Sequence, residues 1–149
     1  MTTKEGVYQE CLEAINQRLL ICEKNLAMLQ ESLTSETKSS AGDKHETGRA
    51  MIQLEREQLG QQLAKIEREQ ALLTKINPKL NSETVCLGSL VITSEHSYFI
   101  AIGLGKMIWN GQEFYAISLD SPIGQLLVGK RLGEQLSFAG KTFEIQAIM

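Results

Sequence analysis

Apolar residues in the first half of the chain recur in alternating steps of four and three. Tyr8, Leu12, Ile15, Leu19, Cys22, Leu26, Leu29 and Leu33 form one such series. A seven-residue repeat sustained this long makes the seam of a coiled coil. A second series, Ile52, Leu59, Ile66 and Leu73 with Leu63 between, has the same period. The stretch 34–48 between them is rich in Ser, Thr, Gly and charge, and reads as a turn. Residues that face each other across an antiparallel hairpin have numbers with a constant sum. Leu33 with Ile52, Leu26 with Leu59, Cys22 with Leu63, Leu19 with Ile66 and Leu12 with Leu73 all sum to 85. The pattern predicts one intramolecular hairpin over residues 5–76, folding between Gly42 and Asp43. Its arms would be about 45 Å long. Arg56 and Gln70 fall opposite Leu29 and Ile15, where their stems can lie along the seam while the polar ends reach water.

Beyond residue 76 the runs are shorter and richer in β-branched and aromatic residues. Segments 89–93, 98–102 and 113–118 read as strands, with Asn110-Gly111 as the hairpin turn between the last two. Ser121-Pro122 opens a short helix over 123–128, with Ser as N-cap and Pro at the first position, and Gly129 ends it. Two more strands, 135–138 and 142–148, are joined at Ala139-Gly140-Lys141. The expectation is an antiparallel sheet carrying one helix. Ile92, Ile100, Ile102, Ile108, Phe114 and Ile117 are its candidate core residues.

Composition divides the chain at the same place. Residues 1–76 hold 22 of the 33 charged residues but one aromatic, and no proline. Asn77-Pro78 closes the helical part, because the residue before proline is pushed out of the helical region. The expected organisation is an α+β chain: a coiled-coil hairpin at 1–76 with its tip at about 34–48, a linker at 77–83 and a sheet domain at 84–149. A net charge of −3 argues against broad duplex binding through a basic face. No apolar run of 18 residues exists to span a membrane, and the first residues lack a secretory leader. Three cysteines, an odd number, fit a reducing cytoplasm. With two histidines and no Cys-x-x-Cys, a structural zinc site is not expected.

Two separated motifs carry a family resemblance. The run Ser118-Leu-Asp-Ser-Pro-Ile-Gly-Gln-Leu-Leu-Val-Gly-Lys-Arg-Leu-Gly-Glu134 resembles the C-terminal signature of Gre-type bacterial transcription elongation factors. Gly42-Asp43-Lys44-His45-Glu46 resembles the Gly-Asp-x-x-Glu at the tip of their N-terminal hairpin. The resemblance spans nearly the whole chain, in order. It implies an FKBP-like C-terminal domain that docks on RNA polymerase, here through Ser121, Pro122, Ile123, Gly129 and Lys130. It implies a hairpin that enters the polymerase secondary channel, and, as a family label, DNA binding. The chain would bind no cofactor alone and would share the catalytic Mg²⁺ of the polymerase.

The chemistry so implied is cleavage of backtracked RNA, in which one ion activates water and another steadies the leaving oxygen. Asp43 would be a Mg²⁺ ligand and Glu46 its partner ligand or the orienter of the attacking water. The enzyme would be the polymerase, with this chain a donor in trans. The same two acids also fit a plain helix start, Asp43 as N-cap and Glu46 three residues on. The family tip usually continues Glu-Asn-Ala-Glu-Tyr, whereas here Glu46 is followed by Thr47, Gly48, Arg49 and Ala50. Lys44 and His45 add positive character between the two acids, and Lys44 and Arg49 offer contacts to phosphate at the RNA 3′ end. Two alternatives stay open: a channel-binding regulator that does not stimulate cleavage, and an FKBP-like peptidyl-prolyl isomerase.

The remaining candidates have structural explanations. Cys22 reads as a small seam residue and Cys86 as a more open thiol. His96 reads as a loop histidine, Gly103-Leu-Gly105 as a strand bend, and Trp109 as packing on the hairpin turn. A monomer is expected, with Met51, Leu54 and Leu72 leaving a dimer open.

Overall fold

A computed structural model describes the backbone of residues 1–38 and 42–149, and side chains outside residues 36–46. Two long helices come first, α1 (Thr3–Lys38) and α2 (Gly42–Thr74). Six strands follow: β1 (Leu90–Thr93), β2 (Ser97–Ala101), β3 (Gly105–Trp109), β4 (Gln112–Ser118), β5 (Gln135–Phe138) and β6 (Lys141–Ile148). One short helix, α3 (Pro122–Leu127), lies between β4 and β5. The chain divides into two compact units, Ile15–Gln70 and the combination of Met1–Ala14 with Ala71–Met149.

In the unit Ile15–Gln70 the heptad series forms the seam. Ile15, Cys22 and Ile66 are buried, and Leu19, Leu26, Leu29, Ile52, Leu59 and Leu63 are half-buried, while most positions between them are exposed. Gln70 Nε2 donates to Asn16 Oδ1 at 3.0 Å and the Cys22 thiol reaches the Leu59 carbonyl at 3.5 Å. As numbers rise on α1 they fall on α2, so the helices are antiparallel. Arg18 and Glu69 share the wall of one groove with Asn25 and Gln62, and Ser32 and Glu55 share the next. These flank pairs sum to 87, the value that a seam register of 85 gives for positions just off the seam.

Helix runs further than the apolar pattern. The stretch 34–48 reads as a turn by composition, yet α1 continues to Lys38 and α2 starts at Gly42. Each residue added to an existing helix gains a backbone hydrogen bond whether or not its side chain is apolar. The Thr34 hydroxyl folds back onto the Gln30 carbonyl at 2.9 Å.

The sheet has the order β3-β4-β2-β1-β6-β5. It is mixed rather than antiparallel, because β2 and β4 run parallel, with Tyr98 beside Tyr115 and Ile100 beside Ile117. The cause is a strand the residue pattern did not reveal. After β2 the chain bends through Gly103-Leu104 into β3 at the edge, and β4 returns between β3 and β2. The Asn110-Gly111 hairpin therefore joins β3 to β4. Asn110 and Gly111 both have positive φ, as a two-residue primed turn needs.

One face of the sheet packs on α3: Val91, Ile100, Phe143 and Ile145 meet Ile123 and Leu127. The other face meets the first turns of α1. Gly6 lies so close under the Trp109 indole that a Cβ would fall 2.0 Å from it. Val7, Leu90, Ile92, Phe114 and Trp109 surround one small cavity there. The Tyr8 hydroxyl donates to the Leu73 carbonyl at 2.7 Å near the end of α2. Lys4, 5% exposed, donates its amine to the Leu80 carbonyl. Burial pushes that amine below its ordinary pKa, against a smaller opposite pull from Cys86.

Of the expected core residues, Ile100, Ile102 and Phe114 are buried, and Ile92 and Ile117 half-buried. Ile108 is 59% exposed. It stands on the edge strand, opposite Glu113, where α3 does not cover the sheet face.

Two substitutions test this packing. Gly6→Ala gains about 1 kcal/mol of helix propensity, but the clash with Trp109 should reverse the sign, for a net loss of roughly 1–3 kcal/mol. The chain has a single Trp, so its emission reports the displaced ring. Ala139 holds φ 54 at the β5–β6 turn, a conformation that disfavours Ala. Ala139→Asn should raise stability by about 0.5–1 kcal/mol in thermal or urea unfolding.

Candidate functional site

The hairpin tip is the first candidate. Asp43 is the second residue of α2 and Glu46 the fifth. The backbone of Asp43 is thus already helical, as the second residue of α2 rather than the N-cap that its sequence suggests. Acids in a first turn face the positive end of the helix dipole, which favours their ionised form. The side chains of Asp43, Lys44, His45 and Glu46 lie outside the described residues. Thr47 is exposed. Arg49 is half-buried, seven residues before Arg56, so it occupies a seam position along which its stem can lie. Among the described residues no three His, Cys, Asp or Glu side chains come together to hold a metal ion.

The second candidate is the segment around α3. Ser121 caps the helix: its Oγ accepts from Gly124 N at 3.0 Å and donates to the Ser118 carbonyl at 2.7 Å. Pro122 follows at the first helical position, as its fixed φ and missing N–H allow. Gly124 is demanded by space, since a Cβ would lie 2.1 Å from the Ser118 carbonyl oxygen. After the helix, Gly129 N donates to Val85 O at 2.8 Å and Val85 N to Lys130 O at 2.9 Å, which pins the turn to the preceding segment. Glu134 accepts from Arg131 N, closing the next turn at 2.6 Å.

The run from Ser118 to Glu134 is therefore a cap, a helix and two pinned turns. Of the five residues expected to dock, Ile123 is in the core at 8% exposure, and Ser121 and Lys130 are half-buried with backbone or hydroxyl groups engaged. Pro122 and Gly129 are exposed. Beside them stand Val128 and Leu132, large apolar residues with 43% and 64% exposure. The residue pattern did not single these two out, because a lone apolar residue in a turn carries no periodicity.

The sequence reading also missed an aromatic trio. The His96 ring meets Tyr115 edge-on at 5.1 Å and Tyr98 at 6.2 Å. His96 and Tyr98 sit on one hairpin, and Tyr115 joins them only because β4 pairs parallel to β2. Burial raises the Tyr98 phenol, with Tyr115 and Glu95 adding to the shift. All three cysteines are free. Burial pushes the Cys11 thiol up to about 12, with Glu10 adding to the shift, whereas Cys86 is exposed.

No family model matches the chain, and no curated protein matches it. A solved structure described as "Structure of the transcription factor Gfh1" is similar at 21% identity, covering 91% of each chain with a TM-score of 0.36. At that level the likeness says nothing of what this chain does, and function has to be argued from its own residues.

Ser121→Ala should cost about 1 kcal/mol in equilibrium unfolding, the usual value of a lost N-cap. In the native state at neutral pH, maleimide or Ellman's reagent should modify Cys86 alone. Cys11 and Cys22 should react only on unfolding. Rapid native labelling of three thiols would contradict the packing described.

Proposed function

We propose that this chain is a regulator of RNA polymerase of the Gre type it resembles, acting through Asp43 and Glu46 in the polymerase secondary channel. The observation that carries the reading is positional. The seam register puts the fold point between Gly42 and Asp43, and α2 starts at Gly42, so the acid pair falls within the first five residues of the returning helix. A Gly-Asp-x-x-Glu at another place on the hairpin would have no such standing.

Two carboxylates are hard oxygen donors of the kind Mg²⁺ prefers, and too few to hold the ion by themselves. The chain would complete a site whose other ligands belong to the polymerase. The ion so held would be one of a pair, of which one activates water and the other steadies the leaving oxygen of the phosphodiester. The residues here supply the negative charge, with the helix N-terminus favouring the ionised acids. Lys44 and Arg49 would pair with phosphate of the RNA 3′ end. Bond breaking is then the polymerase's own chemistry.

Arg49 favours a second reading, occupancy of the channel without stimulated cleavage. Its half-buried seam position keeps a cation one turn from Glu46, where the family tip usually has an acid. Stalled, backtracked elongation complexes separate the two. Under the first reading the wild-type chain releases short 3′ RNA fragments. Asp43→Asn abolishes that release while polymerase binding and thermal stability stay almost unchanged, since Asn tolerates a helix start nearly as well as Asp. Binding without release across a range of Mg²⁺ concentrations would select the second reading.

Docking is assigned to Pro122 and Gly129 with their exposed apolar neighbours Val128 and Leu132. The test needs the full chain, because Gly6 and Val7 cover the sheet face that a fragment beginning at residue 80 would leave bare. Leu132→Glu should weaken retention of polymerase at least tenfold with little change in melting temperature. Unchanged retention would remove this surface from the account.

A further inference from the structure

We propose that one flank of the hairpin is a self-association surface on which a second copy of the chain docks, the two hairpins pointing the same way. The proposal concerns the unit Ile15–Gln70 alone and stands whether or not the polymerase reading does. Two grooves of about 330 and 430 Å³ adjoin on that flank, sharing Asn25 and Gln62. Ile21 and Met28, seven residues apart on α1, stand on this side at 59% and 56% exposure. Met51, at 63%, continues the same row on α2, seven residues before Gln58. The opposite flank carries Asn16, Glu23 and Gln30 on α1 and Gln53, Gly60 and Glu67 on α2, with Leu20, at 59%, as a lone exposed apolar residue beside them and Leu54, at 56%, on the outer side of α2. Single exposed apolar residues such as Leu20 and Leu54 need no explanation, but Ile21, Met28 and Met51, repeating at heptad positions on one flank, do.

Charge decides the occupant and its direction. Along the groove Arg18 stands level with Glu69, Asn25 with Gln62, and Ser32 with Glu55. A two-fold axis parallel to the helices sets α1 of one copy on α2 of the other. Every level then meets its complement again, cation on carboxylate, amide on amide, hydroxyl on carboxylate. Ile21 and Met28 of one copy lie over the aliphatic stems of Lys65 and Gln58 of the other. Turning the second copy end for end would instead set Glu55 on Glu69. A self-complementary patch of this kind is what an isologous dimer requires. The strip from Arg18 to Ser32 is about 21 Å long. Two helices wide, it covers on the order of 400 Å² per partner, about half of a standard interface, so the dimer should be weak, in the micromolar range or above.

Sedimentation equilibrium on the full chain over a concentration series tests this. The weight-average mass should climb from 16.6 kDa toward twice that value as concentration rises. Ile21→Glu with Met28→Glu should hold the chain monomeric while its circular dichroism and melting stay the same, because both side chains are exposed. Glu69→Arg should weaken association about tenfold, and Arg18→Glu added to it should restore association. In a Cys86→Ser background, spin labels at Thr47→Cys should lie within about 25 Å of each other. An end-for-end dimer would hold them roughly 45 Å apart. A monomer at every concentration, a dimer indifferent to Ile21 and Met28, a charge swap that fails to restore it, or the long label distance would each overturn the proposal.

Discussion

The close approach of Gly6 to Trp109 is the contact on which the rest of the sheet unit depends. A sheet buries its apolar surface only when both faces are covered, and α3, six residues long, covers one. The other holds Leu90, Phe99, Phe114 and Ala116, all buried. The first turns of α1 supply that cover, and only a residue without a Cβ lets them lie against the indole. Tyr8, two residues on, ties to the last turn of α2 through Leu73. The base of the hairpin is thus part of the core of the sheet unit. Residues 77 onward, taken alone, would leave that sheet face bare.

The Ser118–Glu134 run shows how a recognition motif can be mostly architecture. Ser121, Gly124, Gly129 and Glu134 are accounted for by a cap, a close contact and two turns pinned to the backbone of Val85 and Arg131. Residues under such constraints mark a fold, and a fold carries many functions. What the segment offers a partner is the remainder, Pro122, Val128, Gly129 and Leu132, which folding leaves in the open. Separating the two sets moves the docking hypothesis off Ile123, whose side chain belongs to the core.

The hairpin was legible in the residues because a heptad seam writes its register into the numbering, and the flank pairs derive from it. Helix length was less so: the apolar repeat stops where the seam stops, but backbone hydrogen bonding continues to Lys38. In the sheet unit, Asn110-Gly111 and Ser121-Pro122 were readable because positive φ and a fixed φ each demand particular residues. β3 was not. Gly105, Lys106 and exposed Ile108 lack the alternation of a half-buried strand, and without β3 the parallel pairing of β2 and β4 had no cause. The aromatic trio was hidden for the same reason, since it depends on a pairing between segments some twenty residues apart. At the tip, sequence supplies the residue types and the helix start; the fifth residue of α2 carries Glu46 and the eighth Arg49.

The central claim is that the tip of this hairpin comes within coordinating distance of the catalytic ion of RNA polymerase. Iron(II) loaded in place of that Mg²⁺ would, with peroxide, generate hydroxyl radicals that cut polypeptide close to the ion. End-labelled chain bound to iron-loaded polymerase should be cut at residues 41–49 and nowhere else along the hairpin, with cutting suppressed by excess Mg²⁺. Cuts confined to the sheet unit, or none in a complex proven to have formed, would contradict the account.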